Sequence, residues 1–222
     1  KMNLTQNEKD TLRSLAEKYM TYALDKTNNE KLQLWLALNR GKMIRPMVMI
    51  DQIPWNELNT DGSLTNTVSD GVWREVETQL RQKIYQWEHF PVDLVLNPYI
   101  DIPLAVKNSG YGLMPDTELH DSDPANSVKS MHFSTLINSM DDIEKISDMH
   151  IMHNEELSRQ WLDEAHELFD GIAPVLQGSN LSFHLGIWDY ITQLMGVEQI
   201  YFDIVDRPEL LHALMNRLTE ST

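Results

Sequence analysis

The sequence predicts an α/β protein in which two helices precede a parallel sheet. Amphipathic stretches with a helical period alternate with short runs that are apolar at nearly every position. Such runs are typical of parallel strands buried on both faces, and their alternation with helices favours a parallel sheet covered by helices. We therefore assign residues 1–41 to an N-terminal helical extension and residues 42–222 to the α/β portion.

The two N-terminal helices have clear start and stop signals. The first begins at Thr5-Gln6-Asn7-Glu8, a capping box whose side chains bind the free amides of a first helical turn. The second runs from about Asn29 to Gly41, because glycine adopts the left-handed backbone of a helix end without strain. Apolar residues at helical spacing predict the buried stripe of the first helix: Leu12, Leu15, Ala16, Tyr19 and Ala23.

Three apolar runs are predicted to be buried strands, at residues 43–50, 92–96 and 172–176. The methionines of the first run, Met43, Met47 and Met49, are expected to pack in the core. Three strands are too few to close an eight-stranded barrel within this chain.

Spacing and caps predict further helices at residues 72–89 and 154–170, and one that begins at Ser139. Two more are predicted near the C-terminus, and Pro208 lies in the first turn of the last one. Residues 97–126 are rich in proline and glycine pairs, which predicts a long irregular loop with a functional role. A short strand is predicted at residues 128–133.

Composition excludes several classes of function. The chain has no cysteine, which removes disulfides, thiolate nucleophiles and cysteine-ligated metals from this chain. Its net charge is 18 − 34 = −16, so neither nucleic acid nor an anionic membrane is an expected partner. No apolar stretch reaches the roughly 20 residues of a membrane span. We expect a cytoplasmic protein that acts on a small molecule.

Polar and aromatic residues follow each predicted strand, where the active sites of parallel barrels are built. Asp51, Gln52 and Trp55 follow the first strand, where a carboxylate can act as a general base or bind a cation against the indole. A structural cap with a core tryptophan is the alternative. Catalytic candidates are thus Asp51 and, after the second strand, Asp101.

Five more residues are candidates for substrate binding. Asn97 and Tyr99 follow the second strand with Asp101, although an Asx turn in a proline-rich loop would explain them equally well. Gln177, Asn180 and His184 follow the third strand and offer amides and an imidazole to a polar substrate. A surface or packing role is the alternative for His184.

The last third of the chain carries a family pattern. Gly196-Val197-Glu198 forms a turn, an acidic helix end follows, and Asp206-Arg207-Pro208-Glu209 opens a helix. This pattern resembles the uroporphyrinogen decarboxylase superfamily, which includes corrinoid-dependent methyltransferases. Three earlier segments match in order and spacing: Arg45-Pro46-Met47-Val48, Phe90-Pro91-Val92-Asp93-Leu94-Val95 and Asp141-Asp142-Ile143-Glu144-Lys145. The resemblance implies the N-terminal part of a TIM-type (β/α)8 barrel, with Asp101 matching the decarboxylase aspartate after a one-residue shift.

The resemblance also implies a function. In the decarboxylases, arginines after the first strand clamp the substrate propionates, but Asp51 stands at the first of these positions. A carboxylate there would repel a polycarboxylate, which favours the methyltransferase branch, a small methylated substrate and a corrinoid protein as partner. That branch binds zinc through a His-x-Cys pair and a later cysteine, so zinc and corrinoid are expected of a full-length protein, with no cofactor bound by this chain alone.

Two alternatives remain open. One is a cofactor-free decarboxylase in which Asp101 stabilises a protonated ring intermediate. The other is a catalytically incomplete chain that binds a small molecule or a partner subunit. An incomplete barrel would expose strand edges and apolar faces that need a cover, such as a second copy in a homodimer.

Overall fold

The computed structural model describes residues 2–69, 71–115, 117–120, 130–178 and 186–221. The chain divides into two compact units, one made of Lys1–Ala105 and Asn154–Leu181, the other of Val106–His153 and Ser182–Thr222. Helices and strands are both present, with more helix than strand. The α/β class is therefore confirmed at this coarse level.

The first unit is built mainly from helices around one apolar core, which includes the fully buried Leu12, Trp73 and Phe169. Two short parallel strands pair in it, with Ile100 opposite Val175 and Ile102 opposite Gln177. Its elements are α1 (Gln6–Ala23), α2 (Lys26–Asn39), α3 (Trp55–Leu58), α4 (Gly71–His89), β1 (Ile100–Ile102), α6 (Glu155–Leu168) and β6 (Val175–Gln177).

The second unit has its own apolar core, in which Ile137, Ile191 and Leu214 are fully buried. Its strands form two antiparallel pairs, β2 with β5 and β3 with β4. Its elements are β2 (Val106–Asn108), β3 (Thr117–His120), β4 (Ser130–Phe133), α5 (Met140–Ile143), β5 (Ile151–His153), α7 (Ile187–Met195), α8 (Val197–Asp206) and α9 (Pro208–Glu220).

Several predicted helix boundaries are confirmed. The Thr5 side chain accepts from the Glu8 amide and the Glu8 side chain accepts from the Thr5 amide, as a capping box requires. Gly41 has φ of +70° just after α2 ends, and Pro208 lies in the first turn of α9. The helix predicted at residues 72–89 is α4. Three helices, α7, α8 and α9, occupy the C-terminal region where two were predicted.

The first predicted strand, residues 43–50, is wrong. The segment is irregular, and most of its apolar side chains are exposed, including Met43, Val48 and Met49. Core packing of these methionines is therefore wrong as well. The segment meets residues 92–96 at Asp93, where the Val48 carbonyl accepts the Asp93 amide at 2.9 Å and the Asp93 carboxylate accepts the Val48 amide. The Asp93 side chain therefore supplies a hydrogen bond that a neighbouring strand would supply in a sheet.

The second predicted strand, residues 92–96, is also wrong, because side chains of α2 satisfy its backbone. The Asn28 side chain donates to the Leu96 carbonyl and accepts from the Leu96 amide, both at 2.8 Å. The Trp35 indole donates to the Asp93 carbonyl at 2.7 Å. A chain whose polar backbone groups are satisfied in this way has no need of a neighbouring strand.

The parallel pairing is instead displaced along the chain. It occurs at β1, inside the stretch 97–126 that was predicted to be irregular, and the third predicted strand begins three residues late, at Val175. The predicted short strand near residue 130 is confirmed as β4. No described helix has the length and apolar character needed to cross a membrane.

Candidate functional site

A cavity of about 550 Å³ lies in the first unit, a volume that suits a small molecule. Three parts of the chain line it: one face of α4, the stretch from Met49 to Trp55, and the stretch from Leu94 to Asp101. Tyr19 of α1 completes the lining. The two irregular segments that replace the predicted strands therefore form two of its walls.

An ion pair joins the residues that precede these two walls. Arg45 binds the Asp93 carboxylate with both terminal nitrogens, from Nη1 to Oδ2 at 2.9 Å and from Nη2 to Oδ1 at 2.5 Å. The Asp93 side chain is nearly buried, and the Arg45 guanidinium together with the Val48 amide lowers the pKa of Asp93 to about 2. This ion pair, called the Arg45–Asp93 clamp below, joins two of the segments on which the resemblance rests. It also positions the chain that leads to Asp51.

This clamp predicts a pH dependence of stability. The folded pKa of Asp93, about 2, lies below the ordinary value of 3.8, so its stabilisation is present above pH 4 or so and is lost as the pH falls toward 2. We expect the difference in unfolding free energy between the wild type and Asp93→Asn to shrink over that interval. Urea denaturation at a series of pH values measures it, and a difference that stays constant down to pH 2 would contradict the prediction.

Five of the nine predicted site residues line the cavity. They are Asp51 and Trp55 from one segment and Asn97, Tyr99 and Asp101 from the other. Because the active sites of parallel barrels lie at the ends of strands, these five residues are expected there. Most of them instead lie in irregular segments, and only Asp101 lies within a strand.

The other four candidates lie elsewhere or outside the described residues. Gln52 is exposed beside Asp51 and is not part of the cavity lining. The Gln177 side chain donates to the carbonyls of Pro103, at 3.2 Å, and Ser158, at 2.7 Å, so it ties β6 to neighbouring chain. Asn180 and His184 lie outside the described residues.

Two aromatic side chains of the cavity are held by specific contacts. The Trp55 indole meets the Tyr85 ring edge-on, with centroids 6.2 Å apart and an interplanar angle of 82°. The Tyr19 hydroxyl donates to the Asn97 carbonyl at 2.9 Å. Burial, with a smaller effect from the nearby Tyr99 and Asp101, raises the pKa of Tyr19 to about 12. Tyr19 is therefore a hydrogen-bond donor that stays protonated at neutral pH.

The polar face of α4 is a part of the site that sequence reasoning missed. Gln79, Gln82, Lys83 and Gln86 line the cavity and are spaced three, one and three positions apart along the chain, so they share one side of the helix. They adjoin the apolar stripe that the helical spacing predicts, and polar residues beside such a stripe are ordinarily solvated. Only the folded segments opposite them make this face part of a cavity.

The chemistry of the cavity is that of a site for a polar or charged small molecule. Asp51 and Asp101 offer two carboxylates, Trp55 offers an aromatic face to a cation, and Lys83 offers one ammonium group. Among the described residues, no group of three or more histidine, aspartate or glutamate side chains is arranged to hold a metal ion. The cysteine ligands of the zinc site that the resemblance implies are not part of this sequence, so the residues present do not fit that zinc.

Comparison with known proteins gives no neighbour. No family model matches the chain, and searches of curated proteins and of solved structures return no significant match. The resemblance to the uroporphyrinogen decarboxylase superfamily remains a prediction.

Proposed function

We propose that the chain binds a small methylated substrate in the cavity of the first unit, as part of a uroporphyrinogen decarboxylase-like methyltransferase. The observation that carries the proposal is the presence of Asp51, Trp55 and Asp101 in one cavity, although up to 50 residues separate them along the chain. Two carboxylates and an indole favour a cationic methylated group over a polycarboxylate.

The proposed architecture is the N-terminal part of a TIM-type barrel, preceded by a helical extension at residues 1–41. The parallel pairing of β1 and β6, with α6 packed against both, supports it. In this arrangement the cavity lies beside β1, and Asp101 belongs to a strand of the sheet.

Each cavity residue has a proposed role. Asp101 holds the methylated nitrogen in its positively charged ammonium form, so that the amine leaves uncharged when its bond to the methyl group breaks and the methyl group passes to the acceptor. Asp51 and Trp55 bind the positive charge, and Asn97 and Tyr99 add hydrogen bonds. A corrinoid held by a partner protein supplies the methyl acceptor, and any further metal would come from outside this chain.

Substitution of Asp101 tests the proposal. With reduced cobalamin as acceptor and methylated amines as donors, we expect methylcobalamin to form, as measured by its absorbance. Asp101→Asn should lower the rate by a factor of roughly 100, and Asp51→Asn should mainly raise KM because it weakens ground-state binding. Asp10→Asn, an exposed change outside the cavity lining, is the control.

The same experiment separates the alternatives. Carbon dioxide release from a porphyrinogen, without methyl transfer, would replace the proposal with a decarboxylase. Binding of a methylated ligand without either reaction would favour an incomplete subunit. The exposed apolar side chains of residues 43–50 give that last interpretation specific support, because they offer a surface for a partner.

A further inference from the structure

The ammonium of Lys83 stands out among the charged groups of the cavity. Lys83 lies on α4, lines the cavity and is exposed to solvent. Its Nζ donates to the neutral Gln86 Oε1 at 3.4 Å, close to the limit of a hydrogen bond. The side chain is therefore reachable by a ligand and weakly held.

Two other lysines of the described chain have carboxylate partners at short distance. Lys18 lies 2.7 Å from Glu88, and Lys145 lies 2.6 Å from Asp142. No such ion pair is found for Lys83 within the described residues. A negatively charged group of a ligand would give the Lys83 ammonium the charged partner that the described residues do not supply.

Two carboxylates line the same cavity. Asp51 and Asp101 contribute negative charge, with Trp55 close to Asp51 in the chain. Groups of opposite charge that line one cavity of about 550 Å³ are suited to a small ligand that carries both signs.

We infer that the cavity binds a small zwitterion, with an N-methylated ammonium group at Asp51, Trp55 and Asp101 and a carboxylate at Lys83. The inference rests on the proposed function for the methylated group and adds the carboxylate as a second recognition element. A cation alone would leave the Lys83 charge without a partner, and an anion alone would meet two like-charged carboxylates.

The test uses three probes and three lysine variants. Glycine betaine carries a trimethylammonium and a carboxylate, tetramethylammonium carries only the cation, and acetate carries only the anion. Isothermal titration calorimetry of the 222-residue protein measures the affinity for each. Lys83→Met removes the proposed carboxylate partner, Lys83→Arg keeps the charge, and Lys26→Met changes a highly exposed lysine of α2.

We expect glycine betaine to bind more tightly than either half. Lys83→Met should weaken its binding roughly tenfold or more, since a hydrogen bond between charged groups is lost. Tetramethylammonium binding should change by less than about twofold, which also shows that the variant is folded. Lys83→Arg should retain part of the affinity, and Lys26→Met should retain all of it.

Equal glycine betaine affinity in the wild type and Lys83→Met would overturn the inference, as would betaine binding no stronger than that of tetramethylammonium. The result is separable from the proposed function. Lysine-dependent betaine binding without methyl transfer would uphold the zwitterion site and reject the methyltransferase. Methyl transfer from simple methylamines, with glycine betaine affinity unchanged in Lys83→Met, would uphold the methyltransferase and reject the zwitterion site.

Discussion

Replacing Glu77 by alanine is expected to lower the free energy of unfolding by about 3–5 kcal/mol. Glu77 on α4 is fully buried. Its carboxylate accepts the amides of Thr67 and Val68 at 2.8 to 3.0 Å and the Arg81 Nε at 2.8 Å. Burial acts to raise the pKa of Glu77, but these donors outweigh it and the pKa is lowered. The alanine variant would leave two backbone donors and a mostly buried guanidinium without their acceptor.

Urea denaturation followed by far-UV circular dichroism measures this loss. Glu75→Ala is the matched control, since Glu75 is exposed on the same helix and its side chain bonds only weakly to Gln79, at 3.4 Å. The control should change stability by less than about 0.5 kcal/mol. Equal effects of the two substitutions would mean that the buried network around Glu77 contributes nothing specific.

The second large effect is expected at Asn28, where alanine should cost about 2–4 kcal/mol. Asn28 is buried, and its side chain bonds to the carbonyls of Ala23 and Leu96 and to the Leu96 amide, each at 2.8 Å. Each buried backbone group left without a partner costs about 1–3 kcal/mol. Because Leu96 also lines the cavity, ligand affinity should fall together with stability.

Asn29→Ala provides the comparison at the next position. Asn29 is exposed and its side chain lies 3.5 Å from Gln33 Nε2, a marginal hydrogen bond. Thermal unfolding of both variants, followed by calorimetric titration of glycine betaine, measures the two consequences. An Asn28→Ala variant as stable as Asn29→Ala would contradict the role assigned to Asn28 as a substitute for a strand partner.

Local signals predicted the helices well. The capping box at Thr5 and Glu8, the helix end near Gly41 and the proline at position 208 act within a few residues. Their effect depends on backbone geometry and nearby hydrogen bonds, which the order of residues defines directly. The periodic stripe of α4 is of the same kind.

The structure of the apolar runs at residues 43–50 and 92–96 could not be predicted from local signals. A run of apolar residues predicts a strand only if another strand supplies hydrogen bonds. Here the partners are the side chains of Asn28 and Asp93, which lie 68 and 45 residues away from the groups they bind. Nothing local in the sequence marks either side chain as a backbone partner.

The candidate site likewise has residues that the sequence predicted and residues that only the tertiary structure revealed. The order of residues by itself determined Asp51, Trp55, Asn97, Tyr99 and Asp101 as candidates, because each follows an apolar run closely in the chain. Tertiary structure decided that these five share a cavity while Gln52 and Gln177 lie outside its lining, and it alone added Tyr19 and Lys83. The reason is physical: a helix or a cap is defined by neighbours in the chain, whereas a cavity is defined by which distant segments fold against each other.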